Sequence, residues 1–282
     1  MSASSPAPSG ATTSHAGRNL PAAIGVGLAL AAVVVASLFI VKEVFVGVVL
    51  LAALTGIGEL ATALRDAGVH VPVVPVAVGA VVMLVGAFVS GTPVLAAALA
   101  LTFVAVTVWR LATGSDGFVR DATAGVFVTC YVGLLGSFIL LLLAEGDGAW
   151  RVATLVLVTA ASDTGGYAAG ARLGKHPMAR AISPQKTWEG FVGSVLACMV
   201  VGWLTVAYAL HGPPAAGLLL GALAAVAATV GDLVESLVKR DLGIKDMGTL
   251  LPGHGGMMDR IDSLLVVAPV AWLVLTLLVD VG

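Results

Sequence analysis

Charge is the first thing this chain is short of. Only 11% of its 282 residues are charged while 59% are hydrophobic, and the mean hydropathy is +1.06. Average soluble domains carry about 25% charged residues. The shortage excludes a water-facing globular fold and makes lipid the solvent. Cysteine is scarce too. Cys130 and Cys198 both fall inside apolar runs without metal-ligand spacing, and are expected as small core residues. Internal repeats are missing, which weighs against a secondary transporter, since many are built from repeats. The apolar runs also lack the alternation of a membrane β-barrel.

The expected fold class is therefore an all-α polytopic membrane protein. A spanning helix needs about 20 mostly apolar residues. Nine stretches qualify: Pro21–Val41, Val44–Leu64, Val71–Val89, Val94–Leu111, Ala122–Ala144, Val152–Ala171, Phe191–Leu210, Ala215–Gly231 and Ser263–Val279. Residues 1–20, rich in Ser, Ala, Pro, Gly and Thr, read as a disordered tail. The apolar run after it is longer than a signal-peptide core of about 7–15 residues, so it is expected to be a retained first span. Residues 21–282 are then one transmembrane domain.

Orientation follows from Lys and Arg. With the N-terminus inside, 12 of the 14 lie on the cytoplasmic side and only Lys42 and Arg151 outside. Eight of those 12 fall in two polar segments, 172–190 and 232–262, both expected as cytoplasmic loops.

Four polar constellations stand out. In Gly231-Asp232-Leu-Val-Glu235-Ser236-Leu-Val-Lys239-Arg240-Asp241 the polar residues recur at helical spacing and share one face. The bland reading is an amphipathic surface helix with internal ion pairs. The chemical one is a carboxylate for metal, with cations for phosphate one or two turns on. The stretch Leu251-Pro-Gly-His254-Gly255-Gly256-Met-Met-Asp259-Arg260-Ile-Asp262 is too glycine-rich at its start for a helix. Its backbone N–H groups could approach an anion closely, and Asp259 and Asp262 share a face of the helix that follows. Carboxylates beside cations at a water boundary suit Mg²⁺, which is commonly held by one or two carboxylates plus substrate phosphates. Asp163 lies deep in an apolar run, next to Gly165 and Gly166, where an ionisable group usually faces a cavity or a partner. In Ser183-Pro-Gln-Lys186-Thr187-Trp188-Glu-Gly190, the Ser-Pro pair is expected to open a turn or helix, and Lys186 and Thr187 offer an ammonium and a hydroxyl. Glu59, after Gly56 and Gly58 in the second span, is a weaker case. His254 reads as a phosphate donor or loop fixer rather than a base, because a phosphate monoester is already an anionic nucleophile.

Carboxylates, cations and a glycine loop on one membrane face are the equipment of phosphoryl or nucleotidyl transfer, which needs positioning and charge neutralisation. A membrane setting implies a lipid substrate. Asp-Gly occurs only at Asp116-Gly117 and Asp147-Gly148, and neither continues into the pattern of the CDP-alcohol phosphotransferases.

The run Ser236-Leu-Val-Lys239-Arg240, four residues, Lys245-Asp246, Gly248, then Leu251 to Asp262 resembles the full signature of the phosphatidate cytidylyltransferases. The stretches Ser162-Asp-Thr-Gly-Gly-Tyr167 and Ser183–Gly190 resemble that family's other polar motifs. The resemblance implies a nucleotidyltransferase that converts CTP and phosphatidate to CDP-diacylglycerol and pyrophosphate. It implies Mg²⁺, a monovalent cation such as K⁺ near it, and a homodimer in the cell membrane with a polar cavity open to the cytoplasm. Nucleic acid is not an expected partner. Carried over by position, Asp232 and Asp259 are expected at the metal, with Asp262 and Asp246 as further candidates. Lys239, Arg240, Lys245 and Arg260 would neutralise phosphates. Ser183, Lys186, Thr187, Ser236, His254, Gly255 and Gly256 would contact substrate, and Asp163 would line the cavity.

Overall fold

A computed structural model describes residues 20–180, 182–248, 250 and 255–280. The expected tail, apart from Leu20, and His254 lie outside the described residues. The chain runs α1 (Leu20–Ile40), α2 (Lys42–Asp66), α3 (Val73–Ser90), α4 (Thr92–Ala112), α5 (Phe118–Val128), α6 (Leu135–Ala144), α7 (Gly148–Leu173), β1 (Pro177–Ala179), β2 (Ser183–Thr187), α8 (Trp188–Leu204), α9 (Pro214–Asp241) and α10 (Met258–Leu278). A π-helical stretch, Thr129–Leu134, joins α5 to α6, and a second, Thr205–Ala209, prolongs α8. Each of the nine expected spans therefore coincides with a helical rod. Among the described residues, seven rods are long and apolar enough to cross a membrane. Of the other two, α1 is 21 residues long without a charge, and α7 is made more polar by Ser162, Asp163, Thr164 and the glycines after them.

Two features differ from the expected loops. The segment from Asp232 to Asp241, placed in a cytoplasmic loop but spaced as a helix face, is helical: it forms the last turns of α9, which continues unbroken past the expected span end at Gly231. The segment contains no Gly or Pro, and its acidic-then-basic order suits the helix dipole, so nothing stops the helix at the membrane surface. The segment 172–190 is not a simple loop either. It holds an antiparallel β1–β2 hairpin, with Pro177 opposite Thr187 and Ala179 opposite Ser183. Ser183-Pro184 thus begins a strand rather than a helix, in keeping with proline's place in short edge strands.

The core lies between α2, α3, α6, α7, α9 and α10, where Leu60, Val76, Leu140, Leu155, Leu220 and Ala268 are fully buried. Large apolar side chains such as Leu51, Leu101, Leu111, Leu196 and Leu277 point outward, as lipid-facing residues do. Lipid supplies no hydrophobic drive between helices, so close packing must hold them. Helices α7 and α8 meet at Gly165 and Gly193, where a Cβ on either would fall 2.7 Å from the other's carbonyl oxygen. The same crossing is stitched by the Ser194 hydroxyl, which donates to the Ser162 carbonyl at 2.7 Å. Cys198 is buried, and its thiol faces the Val158 carbonyl at 3.2 Å.

Lys42 and Arg151 sit together at one end of the bundle. Lys42 donates to the Glu145 carbonyl at 2.8 Å. Arg151, 1% exposed, pairs with Asp147 at 2.6 Å and donates to the carbonyls of Leu275 and Val279, both at 3.0 Å. It closes the C-terminal end of α10, whose last carbonyls have no helical partner. The motif residues occupy the opposite ends of α7, α9 and α10.

Candidate active site

A cavity of about 340 Å³ opens between α7, α8, α9 and the hairpin. Asp163, Ser183, Lys186, Thr187 and Asp232 all line it, together with Tyr167 and Gln185. Three separate elements supply these residues. The polar half of α7 brings Asp163, β2 brings Ser183, Lys186 and Thr187, and α9 brings Asp232. The Lys186 ammonium pairs with the Asp232 carboxylate across the cavity. Thr187 has a structural task as well, since its hydroxyl accepts the Gly190 N–H at 3.1 Å and caps α8. Glu189 fixes the hairpin by accepting the backbone N–H groups of Lys175 and His176 at 3.1 and 3.2 Å and by pairing with the His176 ring at 2.5 Å. Arg240 ties the hairpin to α9, its Nε donating to the Ile182 carbonyl at 3.3 Å.

One turn further along α9 lies a second polar cluster. Lys239 Nζ is 2.5 Å from Glu235 of its own helix and 2.9 Å from Asp259 at the start of α10. Asp259 also accepts the Met247 N–H at 3.1 Å and the Gly256 N–H at 2.8 Å. Its two oxygens therefore serve three donors. Gly255, at φ +80°, takes a left-handed conformation that lets the chain turn over this carboxylate. Ser236 is half-buried, while Lys245, Asp246 and Arg260 are exposed at the same end. Asp262 is buried, 8% exposed, and lies within electrostatic reach of Asp232, Asp163 and Lys239. It joins the two clusters.

Among the described residues no three acidic, histidine or cysteine side chains converge on one point as a ready-made metal site. The donor set nevertheless suits a hard cation that keeps its other ligands for substrate phosphate and water. Three carboxylates, Asp163, Asp232 and Asp262, feel one another's charge in a partly buried setting. Such crowding favours a nearby cation. Asp259 already accepts from three donors, which leaves one of its four lone-pair directions for that cation.

The cytidylyltransferase family model matches residues 21–278, which spans all ten helices. The phosphatidate cytidylyltransferase of Mycobacterium leprae is 42% identical, over 94% of this chain and 90% of its own length. That of Mycobacterium tuberculosis strain H37Rv is 43% identical, over 94% of this chain and 85% of its own. The chain belongs to the cytidylyltransferase family. Similarity thins with distance inside that family: the Staphylococcus aureus (strain COL) phosphatidate cytidylyltransferase is 34% identical over 61% of this chain.

In this family member two acidic residues make contacts that their local sequence pattern does not show. Glu235 reads as one more charge on an amphipathic face, yet it is buried, 2% exposed, against Lys239. Glu59, on α2, accepts the N–H groups of Met257 and Met258 at 3.0 and 2.9 Å, across 198 and 199 residues of chain. Its only signal is an acidic residue within an apolar span.

Proposed function

We propose that this chain transfers the cytidylyl group of CTP to phosphatidate, forming CDP-diacylglycerol and pyrophosphate. The observation that carries the reading is the meeting of Asp163, Lys186 and Asp232 in one cavity at the polar end of α7 and α9. A phosphate oxygen of phosphatidate attacks the α-phosphorus of CTP. A bond forms between them, and the bond from the α-phosphorus to the bridging oxygen breaks. Pyrophosphate leaves with that electron pair. No side chain need act as base, because the attacking oxygen is already anionic.

The work left to the protein is alignment and charge neutralisation. Lys186 and Arg240 would meet the triphosphate from the hairpin side, and Lys245 and Arg260 would meet phosphate from the exposed rim. Ser183 and Thr187 would donate hydroxyls, and Ser236 lies on the same face of α9. The N–H group of Gly255 would face phosphate, with His254 and Gly256 as further substrate contacts. Asp232 and Asp262, with Asp163 nearby and Asp259 and Asp246 on the loop side, would hold Mg²⁺, with K⁺ as a companion cation. When bound, the metal supplies charge neutralisation for the leaving pyrophosphate. The lipid tails enter from the bilayer, the cavity faces the cytoplasm, and the protein acts as a homodimer in the cell membrane.

The test is purified protein with CTP and Mg²⁺, offered either phosphatidate or diacylglycerol, with pyrophosphate release followed continuously. Release with phosphatidate alone supports the reading; release of CDP instead, or an equal rate with diacylglycerol, overturns it.

A further inference from the structure

The residues that flank the glycine signature, Met247 and Gly248 on one side (the first stem) and Gly256 to Met258 on the other (the second), are drawn together around two carboxylates. One is Asp259, which accepts from Met247 on the first stem and Gly256 on the second. The other is Glu59, which comes from α2 and belongs to none of the polar motifs. Its carboxylate accepts from Met257 and Met258, the first N–H groups of α10, and these have no helical partner of their own. Its negative charge also lies at the positive end of that helix.

Glu59 touches the first stem as well. A Cβ built on Gly248 would meet Glu59 before anything else, its three nearest atoms being Oε1, Cδ and Cγ of that residue. Gly256 would meet Glu59 Oε2 at 2.6 Å. The φ of Gly248 is not positive, so backbone conformation does not demand glycine there. What demands it is the Glu59 side chain, which fills the space a larger residue would need.

We propose that Glu59 is a positioning residue for nucleotidyl transfer: from outside the family signature it closes the base of the glycine loop and holds Gly248, Gly256, Met257 and Met258 in register. The proposal rests on the reaction given above. An ionisable group within an apolar span is retained for a named partner, and here the partner is the backbone of a functional loop. A displacement of about 1 Å in such a loop can cost about 100-fold in rate.

The experiment is a double-mutant cycle between Glu59 and Gly248, read by kinetics at saturating phosphatidate and by hydrogen–deuterium exchange of the loop. Glu59→Ala should lower kcat/KM for CTP about 100-fold, with faster exchange at Met257 and Met258. Glu59→Gln keeps one acceptor oxygen for two donors and should lose about tenfold. Gly248→Ala should be impaired in the wild-type background, where the new Cβ collides with Glu59. In the Glu59→Ala background, where that space is empty, the same change should add less than about threefold. Unchanged kinetics in both Glu59 variants overturns the proposal. So does a Gly248→Ala effect that multiplies in full on Glu59→Ala, or unchanged exchange at Met257 and Met258. Should Glu59→Ala fail to fold, the isosteric Glu59→Gln variant decides by the same readouts. A wild-type protein that makes no CDP-diacylglycerol counts against the reaction, whereas the exchange data bear on Glu59 alone.

Discussion

Asp259→Asn is a perturbation whose size can be worked from the geometry. The side chain is 5% exposed and serves three donors: Lys239 Nζ at 2.9 Å, Met247 N–H at 3.1 Å and Gly256 N–H at 2.8 Å. Asparagine has the same shape, but it offers one acceptor oxygen and turns an NH₂ toward the remaining donors. Lys239 keeps Glu235 as a partner. With its oxygen in the Oδ2 place the asparagine keeps both backbone donors, but its NH₂ then faces Lys239, so the charge-assisted bond between Lys239 and residue 259 is lost, which costs about 1.5–3 kcal/mol. That cost falls on the contact between α9 and the start of α10. The rest of α10 is anchored in the core by Leu265, Val267, Ala268 and Ala271, so the loop gives way and the fold does not. At 1.36 kcal/mol per tenfold, turnover should fall about 10–100-fold. The assay is CTP-dependent pyrophosphate release by detergent-purified protein, alongside a thermal melt. Activity within threefold of wild type, in a protein that melts normally, would refute the placement of Asp259 at the loop.

Other substitutions separate the cavity from the scaffold. Lys186→Ala removes the hairpin cation paired with Asp232 and should raise KM for CTP by about 10–100-fold, at a cost of about 1.4–2.7 kcal/mol in binding; steady-state kinetics checks it. Arg151→Leu acts at the opposite end, where it leaves Asp147 and the carbonyls of Leu275 and Val279 without their guanidinium. Breaking a buried pair of this kind costs about 3–5 kcal/mol, so the melting temperature should fall while kcat of the folded fraction stays near wild type. Chelation of divalent cations should abolish turnover, and added Mg²⁺ should restore it; turnover that persists in chelator would remove the metal from the account.

The membrane rods were legible because 20-residue apolar runs are physically unambiguous, and each expected span lies on a helix. Asp163, Ser183, Lys186, Thr187 and Asp232 were legible as polar residues with no reason to sit where they do, and the structure gathers all five at one cavity. What was hidden depends on tertiary contact. The hairpin of residues 177–187 is short and irregular in register, with no alternating apolar pattern to announce it. The helical spacing of Asp232 to Arg240 was legible, but hydropathy ends at Gly231 and does not show that one helix runs through from the membrane to Asp241. Glu59 meets its partners across almost 200 residues, a distance no local spacing rule can bridge. The three donors on Asp259 come from two stems of a loop, and only the fold shows that this carboxylate is already engaged.

The central claim is that one product lipid carries phosphorus from both substrates. Purified protein should be given CTP labelled at the α-phosphorus and phosphatidate labelled with a second phosphorus isotope, in the presence of Mg²⁺. The account predicts both labels in a single lipid at a ratio of one to one, with unlabelled pyrophosphate released in equal amount. A labelled nucleotide diphosphate in solution, or a lipid lacking the CTP label, would contradict it.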